Sequence, residues 1–230
     1  MKKTDKKRIV LLDAHAIIHR AYHGMPDFSN SAGEPTGALY GICTMLFRII
    51  ELFKPHQIIA CYDLPGGTFR HEAFADYKGT RGETDDNLKI QLNTSREIFH
   101  AFGIPVLDAP GFEADDVLGT LVHQILTNHA GQYQTIICSG DMDTMQLISG
   151  DDVMVFTLKK GLNDTITYNE QAVVDRYGFN PSQIPDYKGL RGDTSDNIPG
   201  VPGIGEKTAT ELLKTFRSVK NIKALTEREL

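Results

Sequence analysis

Seven carboxylates fall where the apolar runs of this chain end, and two more follow later. Ile9-Val10-Leu11-Leu12 closes on Asp13, and Ile58-Ile59-Ala60-Cys61-Tyr62 closes on Asp63. Ile104-Pro105-Val106-Leu107 leads into Glu113, Asp115 and Asp116, and Thr135-Ile136-Ile137-Cys138 leads into Asp141 and Asp143. In an open parallel sheet, ligands gather outside the carboxyl ends of the strands. Acids converging there repel one another unless a cation sits among them. Bridged by divalent ions, they form a hard-oxygen site suited to Mg²⁺ or Mn²⁺. Asp193 and Asp196, in Gly192-Asp193-Thr194-Ser195-Asp196-Asn197, are placed to complete it. Each acid taken alone is better explained as a helix cap or a loop residue. Their coincidence at four strand ends favours a metal site.

A Gly-rich turn is the second chemical signal. Gly200, Gly203 and Gly205 let the backbone approach a partner closely, and Val201, Lys207 and Thr208 lie in the same run. The helix that follows offers N–H groups to an anion, so the turn suits a phosphate backbone held without reading bases. The same residues nearly spell a Walker A loop, but Glu206 intrudes before Lys207 and no buried strand precedes the turn. His15, His19 and His23 recur at helical spacing. Among carboxylate candidates, and without a zinc motif, they are better explained as packing or substrate-facing residues. Ser139 has no catalytic histidine beside it and no G-x-S-x-G elbow around it, so serine hydrolase chemistry is unsupported.

Strands are expected near residues 9–13, 57–63, 104–107, 134–139 and 152–156, with helices over 36–53 (Thr36 as N-cap), 86–102 and 113–128. This alternation predicts an α/β fold with a mostly parallel central sheet and helices on both faces. Asp85 and Asp86 are expected as caps, and Asp151, Asp152 and Asp164 as turn residues. Residues 77–86 form a polar segment ahead of a helix, and Gly and Pro become dense from Gly189 onward. An α/β core over 1–188 and a small helical unit over 189–230 are therefore expected.

The chain has 230 residues, of which 40% are hydrophobic and 23% charged, ordinary for a globular protein. Cys43, Cys61 and Cys138 show neither paired nor metal-ligand spacing and are expected as buried, reduced thiols. The basic start is followed by an apolar run that Asp13 stops too early for a secretory core, and no run is long enough to span a membrane. A cytoplasmic protein is expected. The net charge of −6 argues against a nucleic-acid partner, but setting aside the nine site carboxylates leaves 24 basic residues against 21 acids. The acidity is then local to the site, with a mildly basic surround.

Longer motifs make the chain resemble the 5′ nuclease domain at the N-terminus of bacterial DNA polymerase I, within the flap endonuclease superfamily. They include Arg20-Ala21-Tyr22-His23, Gly33-Glu34-Pro35-Thr36-Gly37-Ala38, Asp63-Leu64-Pro65-Gly66-Gly67-Thr68-Phe69-Arg70 and Tyr77-Lys78. Glu113-Ala114-Asp115-Asp116-Val117-Leu118-Gly119, Gly140-Asp141-Met142-Asp143 and the run from Gly192 to Thr208 carry the match through nearly the whole chain.

The resemblance implies a PIN-like or resolvase-like core, a helical arch over residues 77–101 and a C-terminal helix–hairpin–helix. It implies a two-metal 5′→3′ exonuclease and flap endonuclease, structure-selective on DNA with 5′ flaps or 5′ ends, including RNA primer–DNA hybrids. Asp13, Asp63, Glu113, Asp115 and Asp116 would mainly serve one ion, and Asp141, Asp143, Asp193 and Asp196 the other. Lys78, Arg81 and Arg70 would meet the scissile phosphate, and Tyr77 would stack on an unpaired terminal base. The Gly-rich turn would hold duplex, with K⁺ as a further ion. Primer removal and repair by a monomer are the expected roles. Two departures stand out: the chain stops at Leu230, where the family domain usually continues, so a truncated C-terminal unit is expected. Gly82-Glu83-Thr84 replaces the proline or basic residues common in relatives, which predicts a looser arch. A DNA-binding module with little hydrolysis, and a ribonuclease of related fold, are the competing expectations.

Overall fold

The computed structural model describes residues 6–160 and 164–226. In chain order the elements are β1 (Lys7–Asp13), α1 (Ala14–Gly24), α2 (Gly37–Phe53), β2 (Gln57–Cys61), α3 (Phe69–Ala73) and α4 (Asp86–Ala101). There follow β3 (Val106–Leu107), α5 (Ala114–Asn128), β4 (Tyr133–Cys138), a 3₁₀ turn (Met142–Leu147), β5 (Val153–Lys160) and β6 (Asp164–Tyr168). The C-terminal part holds α6 (Glu170–Tyr177), α7 (Ile184–Arg191), β7 (Gly192–Asp193), β8 (Ile198–Pro199), α8 (Glu206–Phe216) and α9 (Val219–Thr226).

The main sheet has the order β3-β2-β1-β4-β5-β6. Strands β1 to β5 pair in parallel and β6 runs antiparallel at the edge. That edge strand was not expected, and Asp164, assigned to a turn, begins it. Alternate residues divide between two apolar layers, as the strand period of two requires. Val10, Leu12, Ala60, Ile136 and Phe156 face α1, α2 and α4. Leu11, Cys61, Ile137 and Val155 face α5 to α8. Both faces are covered, so the strands read as continuous apolar runs.

Helix α2 buries Ala38, Ile42, Met45, Leu46, Ile49 and Phe53 and stops at Lys54, whose φ of 46° is left-handed, before Pro55. Thr36 occupies its N-cap position without a side-chain bond. The buried Gln91 of α4 caps it instead, its Oε1 accepting from Ala38 N at 2.7 Å. Helix α4 is thus fastened into the core by Gln91 and by Leu88, Ser95 and Phe99. The stretch expected as an arch divides accordingly: 86–101 packs on the core, and only 77–85 forms a loop beside the strand ends. Asp85 caps α4 as expected, accepting from Asn87 N at 2.8 Å.

The C-terminal helices share the sheet's second apolar layer, since Ala209 and Leu213 of α8 cluster with Leu11 and Ile137. The boundary expected at 188/189 cuts through α7.

Candidate active site

The chain leaves β1 toward β2 on one side and reaches β4 on the other. A crevice therefore opens at their carboxyl ends, where the connections change direction. Asp13 ends β1 and caps α1, its Oδ1 accepting from Ala16 N at 3.0 Å. Its Oδ2 accepts the Ser139 hydroxyl at 2.6 Å, and Ser139 Oγ accepts from Asp141 N at 2.9 Å. Asp141 in turn accepts from Asp143 N at 2.8 Å. Asp63 Oδ1 accepts from Ala114 N at 2.6 Å, capping α5 from a neighbouring strand end. These acids are caps, as each would be taken alone, and capping is what fixes them around one crevice.

Asp143, Asp193 and Asp196 each offer an oxygen within 4.8 Å of the others, the one such group among the described residues. The β7–β8 hairpin holds the last two, with Ser195 donating to Asp193 Oδ1 through N at 2.9 Å and Oγ at 2.6 Å. Lys188 of α7 forms ion pairs with both Asp143 and Asp193. Burial opposes ionisation of Asp193, but the Lys188 and Ser195 contacts win and hold it down to about 2. Burial, then Asp141, raises Asp143 despite Lys188.

Asp115 is pushed up to about 8, first by burial and then by Asp13, Asp141, Asp63 and Asp143. Asp13 rises to about 6, burial outweighing the bonds from Ser139 and Ala16. Asp141 thus acts on both groups of acids. Acids that oppose each other's ionisation this strongly, with only carboxylate oxygens converging, fit hard divalent cations.

The basic residues are already paired. Arg70 of α3 grips Asp116 with two bonds, at 2.6 and 2.8 Å. Lys78 reaches Glu113 at 2.8 Å, and Arg81 reaches Asp196 at 2.8 Å. Backbone bonds from Lys78 N to Asp196 O and from the Asn197 amide to Asp76 O strap the loop to the hairpin. Tyr77 corrects one expectation. It is buried, its hydroxyl donates toward Glu113 and Asp196, and His71 and Lys78 lie against its ring, so no face is offered to a base.

Gly200 needs correcting too. A Cβ there would lie 2.3 Å from Arg191 C and 2.4 Å from Gly192 N, so its closeness serves the hairpin. Gly203 turns with φ 82° and Gly205 opens α8, both with open space around them. Val201 donates its N–H to Leu190 O, while Lys207 and Thr208 stand exposed on the first turn of α8. Of the histidines, His15 Nδ1 accepts from Asp63 N at 3.3 Å, and none joins the carboxylate triad. Lys188 was missed because no helix was expected at 184–191. Ser139 ties Asp13 to Asp141 and is a positioning residue, a role no local motif signals.

An acid-lined crevice at the switch point of a doubly covered sheet defines an α/β protein whose site suits hard cations. Residues 8–178 match the family model "5′-3′ exonuclease, N-terminal resolvase-like domain", and residues 179–229 match "5′-3′ exonuclease, C-terminal SAM fold". The chain belongs to the 5′-3′ exonuclease family. It is 43% identical to a DNA polymerase I of Bacillus caldotenax over 95% of this chain and 24% of that protein. It is 38% identical to a 5′-3′ exonuclease of Aquifex aeolicus over 94% of this chain and 72% of that protein. The chain spans about a quarter of the DNA polymerase I relatives it matches. The T5 5′-exonuclease solved with zinc shares the fold, with a TM-score of 0.74 at 23% identity over 94% of this chain and 78% of that one. Among the described residues no helix is long and apolar enough to cross a membrane.

Proposed function

We propose that the chain is a two-metal 5′→3′ exonuclease and flap endonuclease that hydrolyses DNA at 5′ flaps and 5′ ends. The observation that carries this reading is the Asp143–Asp193–Asp196 triad beside the buried Asp13 and the half-buried Asp115. Asp141, Asp143, Asp193 and Asp196 would mainly hold one ion, and Asp13, Asp63, Glu113, Asp115 and Asp116 the other. When bound, Mg²⁺ or Mn²⁺ supplies activation of the attacking water and stabilisation of the leaving oxygen.

The chain's own residues do the rest. Arg70, Lys78 and Arg81 exchange Asp116, Glu113 and Asp196 for phosphate oxygens and neutralise charge developing there. The water oxygen joins phosphorus and the P–O3′ bond breaks, leaving a 5′-phosphate and a 3′-hydroxyl. The turn at Val201, Gly203 and Gly205, with Lys207 and Thr208 at the start of α8, grips duplex phosphates, assisted by K⁺. The substrates include RNA primer–DNA hybrids, and a monomer in the cytoplasm carries out primer removal and repair.

The test is cleavage of a 5′-labelled flap duplex with Mg²⁺, Mn²⁺ or EDTA. Cuts near the junction that EDTA abolishes, and that Asp141→Asn abolishes while DNA binding survives, are expected. Tight binding without cleavage under any metal would make the chain a DNA-holding module.

A further inference from the structure

Phe69 and Phe112 are 45% and 49% exposed, and neither belongs to the two apolar clusters among the described residues. Their ring centroids are 5.7 Å apart, tilted by 52°. Backbone bonds from Phe69 N to Gly111 O at 3.2 Å and from Phe112 N to Ala109 O at 3.1 Å fix the pair. The Arg70 guanidinium lies 4.6 Å from the Phe69 ring centroid while also gripping Asp116. Both rings line a cleft of about 800 Å³ that also contains Glu113, Asp115 and Asp143. Further along, the same cleft is lined by His123 and Gln146, which can hydrogen-bond a base edge.

Packing does not explain two half-exposed phenyl rings beside charged groups. An apolar peptide would bury its own surface against these rings but would meet carboxylates and Lys188 on the other walls. An unpaired nucleotide matches both sides, with a flat apolar face for the rings and an anionic phosphate for Arg70. The Arg70 guanidinium lies against the Phe69 ring and Phe112 packs beside it, so a strand whose phosphate reaches Arg70 has its neighbouring base within reach of the rings.

Building on the proposed nuclease reading, we infer that Phe69 and Phe112 form a stacking platform for the base of the unpaired nucleotide adjoining the scissile phosphate. This contact is sequence-tolerant because every base has a π-face. It takes the place that the buried Tyr77 cannot fill.

The experiment compares wild type, Phe112→Ala, Phe69→Ala and Phe112→Tyr on two flaps that differ only by an abasic residue at that nucleotide. On the intact flap each alanine variant is expected to lose roughly ten- to a hundredfold in kcat/KM, with Phe112→Tyr close to wild type. On the abasic flap the alanine variants should match the wild type. Equal losses on both flaps overturn the platform, since a folding defect or a shifted Glu113 ignores the base. Binding in EDTA of a flap carrying 2-aminopurine at that nucleotide separates this inference from the nuclease reading. A change in emission on binding that Phe112→Ala removes supports the platform even if no substrate is cleaved; emission that the wild type leaves unchanged overturns it.

Discussion

Ser139 donates its hydroxyl to Asp13 at 2.6 Å at the carboxyl ends of β4 and β1, which lie side by side in the sheet. The same oxygen accepts from Asp141 N, so one serine ties Asp13 to the Asp141–Asp143 turn. Ser139→Ala is expected to raise Asp13 above its value of about 6. It should also weaken divalent-ion binding more at pH 6 than at pH 8. Hydrogen bonds to charged groups are worth about 1.5–3 kcal/mol. Calorimetric Mn²⁺ titration at the two pH values checks this, and an equal loss at both would remove the assigned role.

The raised acids make stability fall with pH in metal-free protein. Asp115, near 8, and Asp13, near 6, hold protons that the unfolded chain has released above about 4. The folded state therefore binds more protons between about pH 4 and 8, and stability drops as pH rises through that window. Asp193, held near 2, works the other way, but its contribution is lost only as pH falls below about 4. Thermal melts from pH 5 to 8 should show Tm falling without metal. Added Mn²⁺ should raise Tm more at pH 8 than at pH 5.

Lys78 and Arg70 are expected to act on the reaction more than on the fold. Lys78→Ala should lower kcat by about a hundred- to a thousandfold, the usual effect of losing one preorganised charge-stabilising group. KM for the flap should change little. A KM effect with kcat intact would assign Lys78 to binding alone.

Gly200 and Gly189 should respond oppositely to alanine. At Gly200 the new Cβ meets the Arg191 and Gly192 backbone at 2.3–2.6 Å, predicting a loss of about 1–3 kcal/mol. Gly189 lies within α7 with open space around it, and alanine there should add about 0.5–1 kcal/mol through helix propensity. Denaturant unfolding of both variants measures the difference. A stable Gly200→Ala protein would leave the hairpin contact without its assigned importance.

Much of this protein was legible from local pattern. The apolar runs ending in Asp13, Asp63 and Asp141 became β1, β2 and β4, because a strand buried on both faces must be continuously apolar. The acids were legible because helix caps and strand ends are local features of the chain. Which acids share an oxygen cluster was not, since Asp143 and Asp193 meet only through the packing of α7 and the β7–β8 hairpin. Tertiary contacts alone put Lys188 between them, buried the Tyr77 ring and turned Gly200 against Gly192. They also left Phe69 and Phe112 at the cleft mouth, where an aromatic in the sequence looks no different from one in the core. Sequence period and residue type determine which elements form and where charge collects. The close approach of residues far apart in the chain determines pairing, burial and pKa, because these depend on distance and on the exclusion of water.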